Sequence, residues 1–294
     1  MKKTKLFMDT VVDIQVVSDK SQNEIAETAI DRAFDAFRKM EQACSRFSRD
    51  SEVMQATKEI QTAVKISPYL FEPLKFALEL AKVTNGLFDP TIGKAMEDYG
   101  FNQHYLSAEI VDSVATSSVT YQDITLDDEQ RTVYVNKPLV IDLGAVAKGF
   151  AIDLAANELK EFAGFIVNAG GDLFAGGLDE RGEKWKIGIQ HPIYKDQFIE
   201  VVEVSNEAVC TTGSYERRSP LYPDIHHIIT PNSKRSPAEW VSSSVIARYA
   251  LMADAFSTAV FLMDKIQGKA LLEQVNLKGI LIDQKLQLNR IGGD

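Results

Sequence analysis

Cysteine is scarce: Cys44 and Cys210 are the only two in 294 residues, and neither lies in a CxxC or Cys/His cluster. That excludes a disulfide framework and predicts two buried, reduced thiols. Histidine is nearly as sparse, with His104, His191, His226 and His227 and no HxxxH or HExxH spacing, so a transition-metal centre is not expected. There is no GxSxG elbow, and Cys210 sits in AVCTTG, a plain buried-strand pattern, so neither a serine nor a cysteine hydrolase is supported. No stretch approaches the roughly 18 consecutive apolar residues of a membrane span. Positive charge is in deficit, with 32 Lys and Arg against 42 Asp and Glu for a net charge of −10. A nucleic-acid binder needs a clustered basic face to displace counterions, and no basic run supplies one.

The composition that remains, 45% hydrophobic with 25% charged residues, is that of a folded chain with a sizeable core. The length lies between one large and two average domains, and one intertwined body with two lobes is expected over residues 1–294. The N-terminus, MKKTKLFM, begins as basically as a signal peptide, but Asp9, Asp13 and Gln15 interrupt any apolar segment, so no export signal is expected.

Residues 8–17 (MDTVVDIQVV) alternate as a strand does. From Asn23 to Met40, Ile25, Ala29, Ile30, Ala33, Phe34, Phe37 and Met40 recur at steps of three and four, the stripe of a long amphipathic helix. A second helix should open at Ser67-Pro68 and run to Val83, ended by Asn85-Gly86. Residues 107–125 read as an irregular polar connection. Thr132–Val135 and Leu139–Asp142 read as two strands about a turn, followed by a helix over Phe150–Phe162. Beyond Gly164 strands dominate, Ile225–Thr230 and Ser242–Arg248 among them, with helices over Ala253–Met263 and Gly268–Val275. Long runs of strands without intervening helices favour an antiparallel or mixed sheet over a doubly wound parallel one, which makes the fold class α+β.

Three segments are more polar and glycine-rich than their surroundings. In Asp142-Leu-Gly-Ala-Val-Ala-Lys148-Gly149 an apolar strand ends in a carboxylate, a bend and a helix start bearing a lysine. Free backbone N–H groups there can receive an anion, or the glycines can merely allow a tight turn. In Asn168-Ala-Gly-Gly-Asp172 the paired glycines fit a hairpin turn or the close approach of a ligand, and the turn is favoured. In Ala253–Ala259, Asp254 and Thr258 stand four apart on one helical face and offer hard oxygen ligands of the kind Mg²⁺ takes, although by themselves they are better explained as a helix-terminal carboxylate and a core-facing threonine.

The order of these segments resembles one family. MDTVVDI, CSRFSRDSEV, TNGLFDPTIG, VIDLGAVAKGFAID, NAGGDLFAGG, WKIGIQHP, AVCTTGSYERR, HHIITP and ADAFSTAVFLM follow one another as in the ApbE-type flavin transferases, the FAD:protein FMN transferases. The resemblance covers nearly the whole chain as a single domain, and implies an α+β fold with a mixed, largely antiparallel sheet flanked by helices in two intertwined lobes. It implies Mg²⁺-dependent transfer of FMN from FAD to a Thr or Ser hydroxyl of an acceptor flavoprotein, with AMP released. Phosphoryl transfer of this kind needs mainly a metal and well-placed polar groups. FAD hydrolysis to FMN and AMP, and FAD carriage without turnover, are the alternatives.

Carried over residue by residue, the resemblance makes Asp254 and Thr258 the side-chain ligands of Mg²⁺, with Ser257 as a further oxygen and the backbone carbonyl of Ala145 completing the set. Asp142 and Lys148 would contact FAD, Lys148 at a phosphate. Met8, Phe47, Leu87, Phe88, Asp89, Ile228 and Ile229 would line the flavin or adenine pocket. His227 is the candidate general base for the acceptor hydroxyl. The chain departs from the family pattern at Asp9, where glycine is usual, at Thr230, where aspartate is usual, and at Lys234, near a usual glycine. Many members carry a signal sequence ahead of the first strand; here that strand starts near Met1, and a cytoplasmic protein is expected.

Overall fold

A computed structural model describes residues 1–116 and 118–292. Strands β1 (Lys2–Phe7) and β2 (Thr10–Val17) lead into helix α1 (Asn23–Cys44), then α2 (Glu52–Ala56), β3 (Ala63–Lys65) and α3 (Pro68–Val83). After α4 (Gly93–Asp98) come β4 (Ile124–Asp127), β5 (Thr132–Val135) and α5 (Ala147–Asn157). Strands β6 (Gly164–Ala169), β7 (Asp172–Gly177), β8 (Trp185–Gln190), β9 (Phe198–Val204) and β10 (Glu207–Gly213) follow without an intervening helix. The chain closes with β11 (Trp240–Ala247), α6 (Ala250–Phe261), α7 (Lys265–Gln274), β12 (Lys278–Asp283) and β13 (Leu288–Ile291).

Two compact units are formed, each from separated stretches of chain: 1–38, 148–213 and 239–294 make the first, 39–147 and 214–238 the second. The first holds an eight-stranded sheet in the order β1-β2-β6-β7-β10-β11-β12-β13. Each of its neighbouring pairs is antiparallel, within the antiparallel or mixed pairing that the run of helix-free strands favours. Helix α6 packs on β10 and β11. The β8–β9 hairpin contributes Trp185, Ile189 and Val204 to a cluster with Leu173, Ala175, Val209, Ile246 and Ile280 of the main sheet.

Strand β1 was not evident in the sequence, because its burial alternates weakly and it lies at the sheet edge, where Lys2, Lys3 and Lys5 resist further strand pairing. It joins β2 through Met8 and Asp9, both left-handed at φ 51° and 61°. Two positive φ values define the tight hairpin turn that favours Gly, Asn or Asp, which is why aspartate can stand where glycine is usual. In α1 the predicted stripe is buried from Ala29 to Met40, but Ile25 is 66% exposed, because in the first turn the core-facing position is its neighbour Ala26, which is fully buried.

The second unit contains the three-stranded sheet β3-β5-β4, also antiparallel, and α3, which opens with Pro68 and stops at Thr84 before left-handed Asn85 and Gly86, as read from the sequence. Pro73 inside α3 deprives the Tyr69 carbonyl of its helical donor. The Cys44 thiol donates to that carbonyl at 3.4 Å instead. Both cysteines are buried and unbridged, as expected, and burial pushes each thiol well up.

Two expected strands are absent. Leu139–Ile141 is buried and Asp142 half-buried, but the stretch joins no sheet; the Asp142 N–H donates to the Pro90 carbonyl at 2.8 Å. Over Ile225–Thr230, local acceptors replace a ladder: His226 N–H donates to Ser236 Oγ, His227 N–H to the Arg217 carbonyl and Thr230 N–H to the Arg235 carbonyl. Helix α5 starts three residues before the expected Phe150 and ends five before Phe162, and α6 starts at Ala250 instead of Ala253. The connection read over 107–125 is largely irregular, with β4 beginning at Ile124; Ser117 within it lies outside the described residues.

Candidate active site

Helices α5 and α6 meet at their N-terminal ends in the first unit. A Cβ on Gly149 would stand 2.4 Å from the Ala250 carbonyl oxygen, so only glycine permits this approach. The first amides of any helix lack partners within it, and here the two helices satisfy each other. Gly149 N–H of α5 donates to Asp254 Oδ2 of α6 at 2.9 Å. In return, Asp153 of α5 accepts from Ala250 N–H at 2.7 Å and Leu251 N–H at 2.9 Å. Asp254 is thus the fifth residue of its helix, and it serves the neighbouring helix terminus.

Asp254 is 4% exposed, and burial, only partly offset by the nearby Lys148 ammonium, pushes its carboxyl up to about 7. Asp153 is pushed up by burial to about 6, with the two helix amides pulling the other way. Lys148 pairs with Asp172, which also accepts from Thr211 N–H at 2.9 Å. Burial works against the Lys148 charge, but the carboxylates of Asp172 and Asp254 outweigh it and hold the ammonium protonated beyond its ordinary range. Thr212 Oγ1 lies 2.8 Å from Ser257 Oγ and 3.0 Å from Thr258 Oγ1, and Ser257 Oγ also donates to the Asp254 carbonyl at 2.8 Å. One locus therefore holds two buried carboxylates, Asp254 and the Asp172 that pairs with Lys148, together with three hydroxyls and that lysine's cation. Among the described residues, no group of three or more His, Cys, Asp or Glu side chains is placed to hold a metal ion; the oxygens here come from carboxylates and hydroxyls, a donor set suited to a hard cation.

In the second unit Asp142 receives Arg46 Nε at 2.5 Å on Oδ2 and Gly144 N–H at 2.8 Å on Oδ1. Burial would raise this carboxyl, but Arg46 beside it holds it below the usual carboxylate range. The Gly144 bond shapes the bend that carries Ala145. Phe47 is half-buried beneath the Arg46 guanidinium, 4.2 Å from its ring centre. Asp89 caps the turn Pro90–Ile92, accepting from Thr91 N–H at 2.8 Å and Thr91 Oγ at 2.7 Å, and takes Tyr121 N–H at 3.0 Å. Phe88 is buried and Leu87 half-buried. Ile228 is buried, and Ile229 packs with Met96 and Phe101.

The two adjacent histidines differ. His226 is buried, with Nδ1 accepting from Ile228 N–H and Nε2 3.3 Å from the Pro237 carbonyl, and burial lowers its pKa. His227 is half-buried, with Nδ1 3.3 Å from the Arg217 carbonyl. A carbonyl only accepts, so Nδ1 carries the proton in that contact and Nε2 is the basic position. Lys234 is left-handed at φ 55°, which accounts for the glycine usual nearby.

The residues singled out from the sequence therefore fall into two sets: Met8, Lys148, Asp254, Ser257 and Thr258 in the first unit, and Phe47, Leu87, Phe88, Asp89, Asp142, Ala145, His227, Ile228 and Ile229 in the second. Sequence reasoning missed Arg46, Asp153 and Thr212, and offered Asp172 only within a segment better read as a turn. All four lie inside stretches whose order marked the resemblance, but nothing in their local pattern shows that they meet a distant lysine, helix terminus or hydroxyl. The NAGGD stretch is the hairpin turn expected, with Gly170 and Gly171 at φ 67° and 103°, and its Asp172 also enters the site.

The profile of the ApbE family matches residues 8–281, and the chain belongs to that family. The FAD:protein FMN transferase of Escherichia coli K12 is 25% identical over 260 residues, 83% of this chain and 74% of that protein. The FAD:protein FMN transferase of Rhodobacter capsulatus is 30% identical over 242 residues, 78% of this chain and 45% of that protein. Among solved structures, the ApbE protein of Thermotoga maritima superposes with a TM-score of 0.86 at 25% identity, covering 99% of this chain and 96% of that one. The flavin transferase ApbE of Vibrio cholerae gives 0.83 at 22% identity over 100% and 97% of the two chains, a likeness of fold. No helix among the described residues is long and apolar enough to cross a membrane.

Proposed function

We propose that this chain is a FAD:protein FMN transferase that, with Mg²⁺, moves FMN from FAD to a Thr or Ser hydroxyl of a partner flavoprotein and releases AMP. The observation that carries the reading is the buried oxygen set of α6, Asp254 with Thr258 on one helical face, beside the Lys148 ammonium. Family membership and the naming of the relatives as FAD:protein FMN transferases support FAD as the donor.

In the reaction the acceptor oxygen bonds to the phosphorus of the FMN half as the bond from that phosphorus to the bridging oxygen breaks. AMP leaves with the bridging oxygen, and the hydroxyl proton passes to a base. Mg²⁺, when bound, would neutralise charge on the pyrophosphate oxygens. Asp254 and Thr258 would hold it, with Ser257 and the Ala145 carbonyl as further oxygens. Their all-oxygen character fits this ion, and Asp254, whose proton burial holds up to about pH 7, would have to give up that proton to serve as a ligand. Lys148, kept charged by Asp172, binds a phosphate oxygen. His227 takes the hydroxyl proton at Nε2 while the Arg217 carbonyl holds its Nδ1–H. Met8, Phe47, Leu87, Phe88, Asp89, Asp142, Ile228 and Ile229 contribute to FAD binding, Phe47 by its ring and Asp89 by keeping the backbone of its turn in place.

The test incubates the purified chain with FAD and Mg²⁺, with and without a substrate carrying an acceptor Thr, and follows AMP release and flavin mass on the acceptor. Label that requires both metal and acceptor is the expected result. AMP formed without acceptor would replace this reading with FAD hydrolysis, and intact bound FAD in every tube would leave a flavin carrier.

A further inference from the structure

Arg46 is 3% exposed, at the start of the stretch between α1 and α2. Its Nε is committed to Asp142 at 2.5 Å and its Nη2 to the Phe101 carbonyl at 2.6 Å. Its third nitrogen, Nη1, is buried and has no hydrogen-bond partner among the described residues. Arginine cannot shed its charge to relieve such a deficit, so a buried guanidinium nitrogen left unpaired weakens the fold unless another molecule supplies the acceptor. The groups around it are those expected at the dinucleotide. The guanidinium lies over Phe47, it holds Asp142, and the Phe101 that accepts from it packs with Ile229. Asp142 in turn donates its N–H to Pro90, the neighbour of Asp89.

We propose that Arg46 is a FAD-recognition residue whose Nη1 donates a hydrogen bond to a neutral ring acceptor, a carbonyl oxygen or ring nitrogen, of the bound dinucleotide. The inference rests on FAD being the substrate. A neutral acceptor fits better than a phosphate because Asp142 already balances the guanidinium charge, and a phosphate brought to Nη1 would also face that carboxylate. The aromatic face beneath the guanidinium suits the edge of a planar ring system. Isoalloxazine and adenine both carry such acceptors, and the binding measurements separate them.

Arg46→Lys keeps the charge and loses the planar fork, and Arg46→Gln loses the charge and keeps one donor group. Affinities for FAD, riboflavin and AMP are measured by flavin fluorescence and calorimetry on the wild-type chain and on both variants, with melting temperatures as the control for folding. Wild-type binding of FAD tests the functional reading by itself, and its absence would overturn that reading before any variant is compared. Given that binding, a charged donor restored to an acceptor corresponds to about tenfold to a hundredfold in FAD affinity, lost in the variants. A parallel loss for riboflavin with AMP unchanged places the contact on isoalloxazine, and the reverse places it on adenine. Unchanged FAD affinity in a folded variant overturns the proposal, as does an equal loss on both fragments, which marks general collapse of the pocket. If neither variant folds, a crystal structure of the wild-type chain with FAD decides, since Nη1 with no FAD atom within hydrogen-bond distance overturns it equally.

Discussion

Asp254→Ala deletes the one carboxylate of the α6 oxygen set and leaves Gly149 N–H without its acceptor. Metal-dependent FAD cleavage and FMN transfer are expected to fall about a hundredfold or more, the scale on which electrostatic stabilisers of a transferring group act. Full activity in that variant, read as AMP release, would remove Asp254 from the metal site. Because burial keeps the metal-free carboxyl protonated up to about pH 7, a cation must displace that proton, and Mg²⁺ affinity should rise with pH and level off above about 7. Titrations at pH 6 and 8 giving equal affinities would contradict this. At Gly149, alanine brings a Cβ to 2.4 Å from the Ala250 carbonyl. Helix propensity favours alanine by about 1 kcal/mol, but forcing two backbones apart costs about 1–3 kcal/mol. Gly149→Ala should therefore lower the urea midpoint and impair metal binding, and a midpoint at or above wild type would show that the helices have room to move.

At the scale of elements, α5 and α6 act as a pair because each caps the other. Asp153→Ala removes the acceptor for Ala250 N–H and Leu251 N–H, and a lost N-terminal cap costs about 0.5–2 kcal/mol. The carboxyl has an ordinary value of 3.8 and is raised to about 6 by burial. The native state thus holds this proton to higher pH than the unfolded chain does. The stability it contributes is complete below about 3.8 and is lost as pH rises through about 6. The variant should unfold more easily and show a shallower decline between those limits, measured by denaturation across that range. Equal slopes would mean that Asp153 titrates as it does in water. The element boundaries were only partly legible in sequence for a related reason. The Pro68 start and Asn85-Gly86 stop of α3 are local signals, and the helix begins and ends at them. The early start of α6 depends on Asp153, a carboxylate 97 residues away from Ala250.

For the whole molecule, ligand binding to the native state alone should raise stability by about 2.7 kcal/mol at a hundredfold excess over the dissociation constant. FAD with Mg²⁺ is expected to raise the melting temperature of this chain more than FAD alone, and a chelator should cancel the difference. Identical melting curves with and without the metal would argue against Mg²⁺ in the FAD complex. The net charge of −10 bears on partners and solubility and leaves the fold untouched.

What the residues determined by themselves was the class of architecture and the members of the motifs. Helix periods, strand alternation and turn residues are set by neighbours within a few positions, and a run of strands without helices favours antiparallel or mixed pairing. The tertiary structure alone decided which polar groups face one another. Lys148 meets Asp172, Arg46 meets Asp142, and Asp153 and Asp254 exchange helix caps. It also decided that Leu139–Asp142 and Ile225–Thr230, apolar enough for strands, pair with loops and side chains. The physical reason is that a buried donor or acceptor must find a partner somewhere, and which partner lies within about 3 Å depends on how distant segments pack and not on the spacing of residues along the chain.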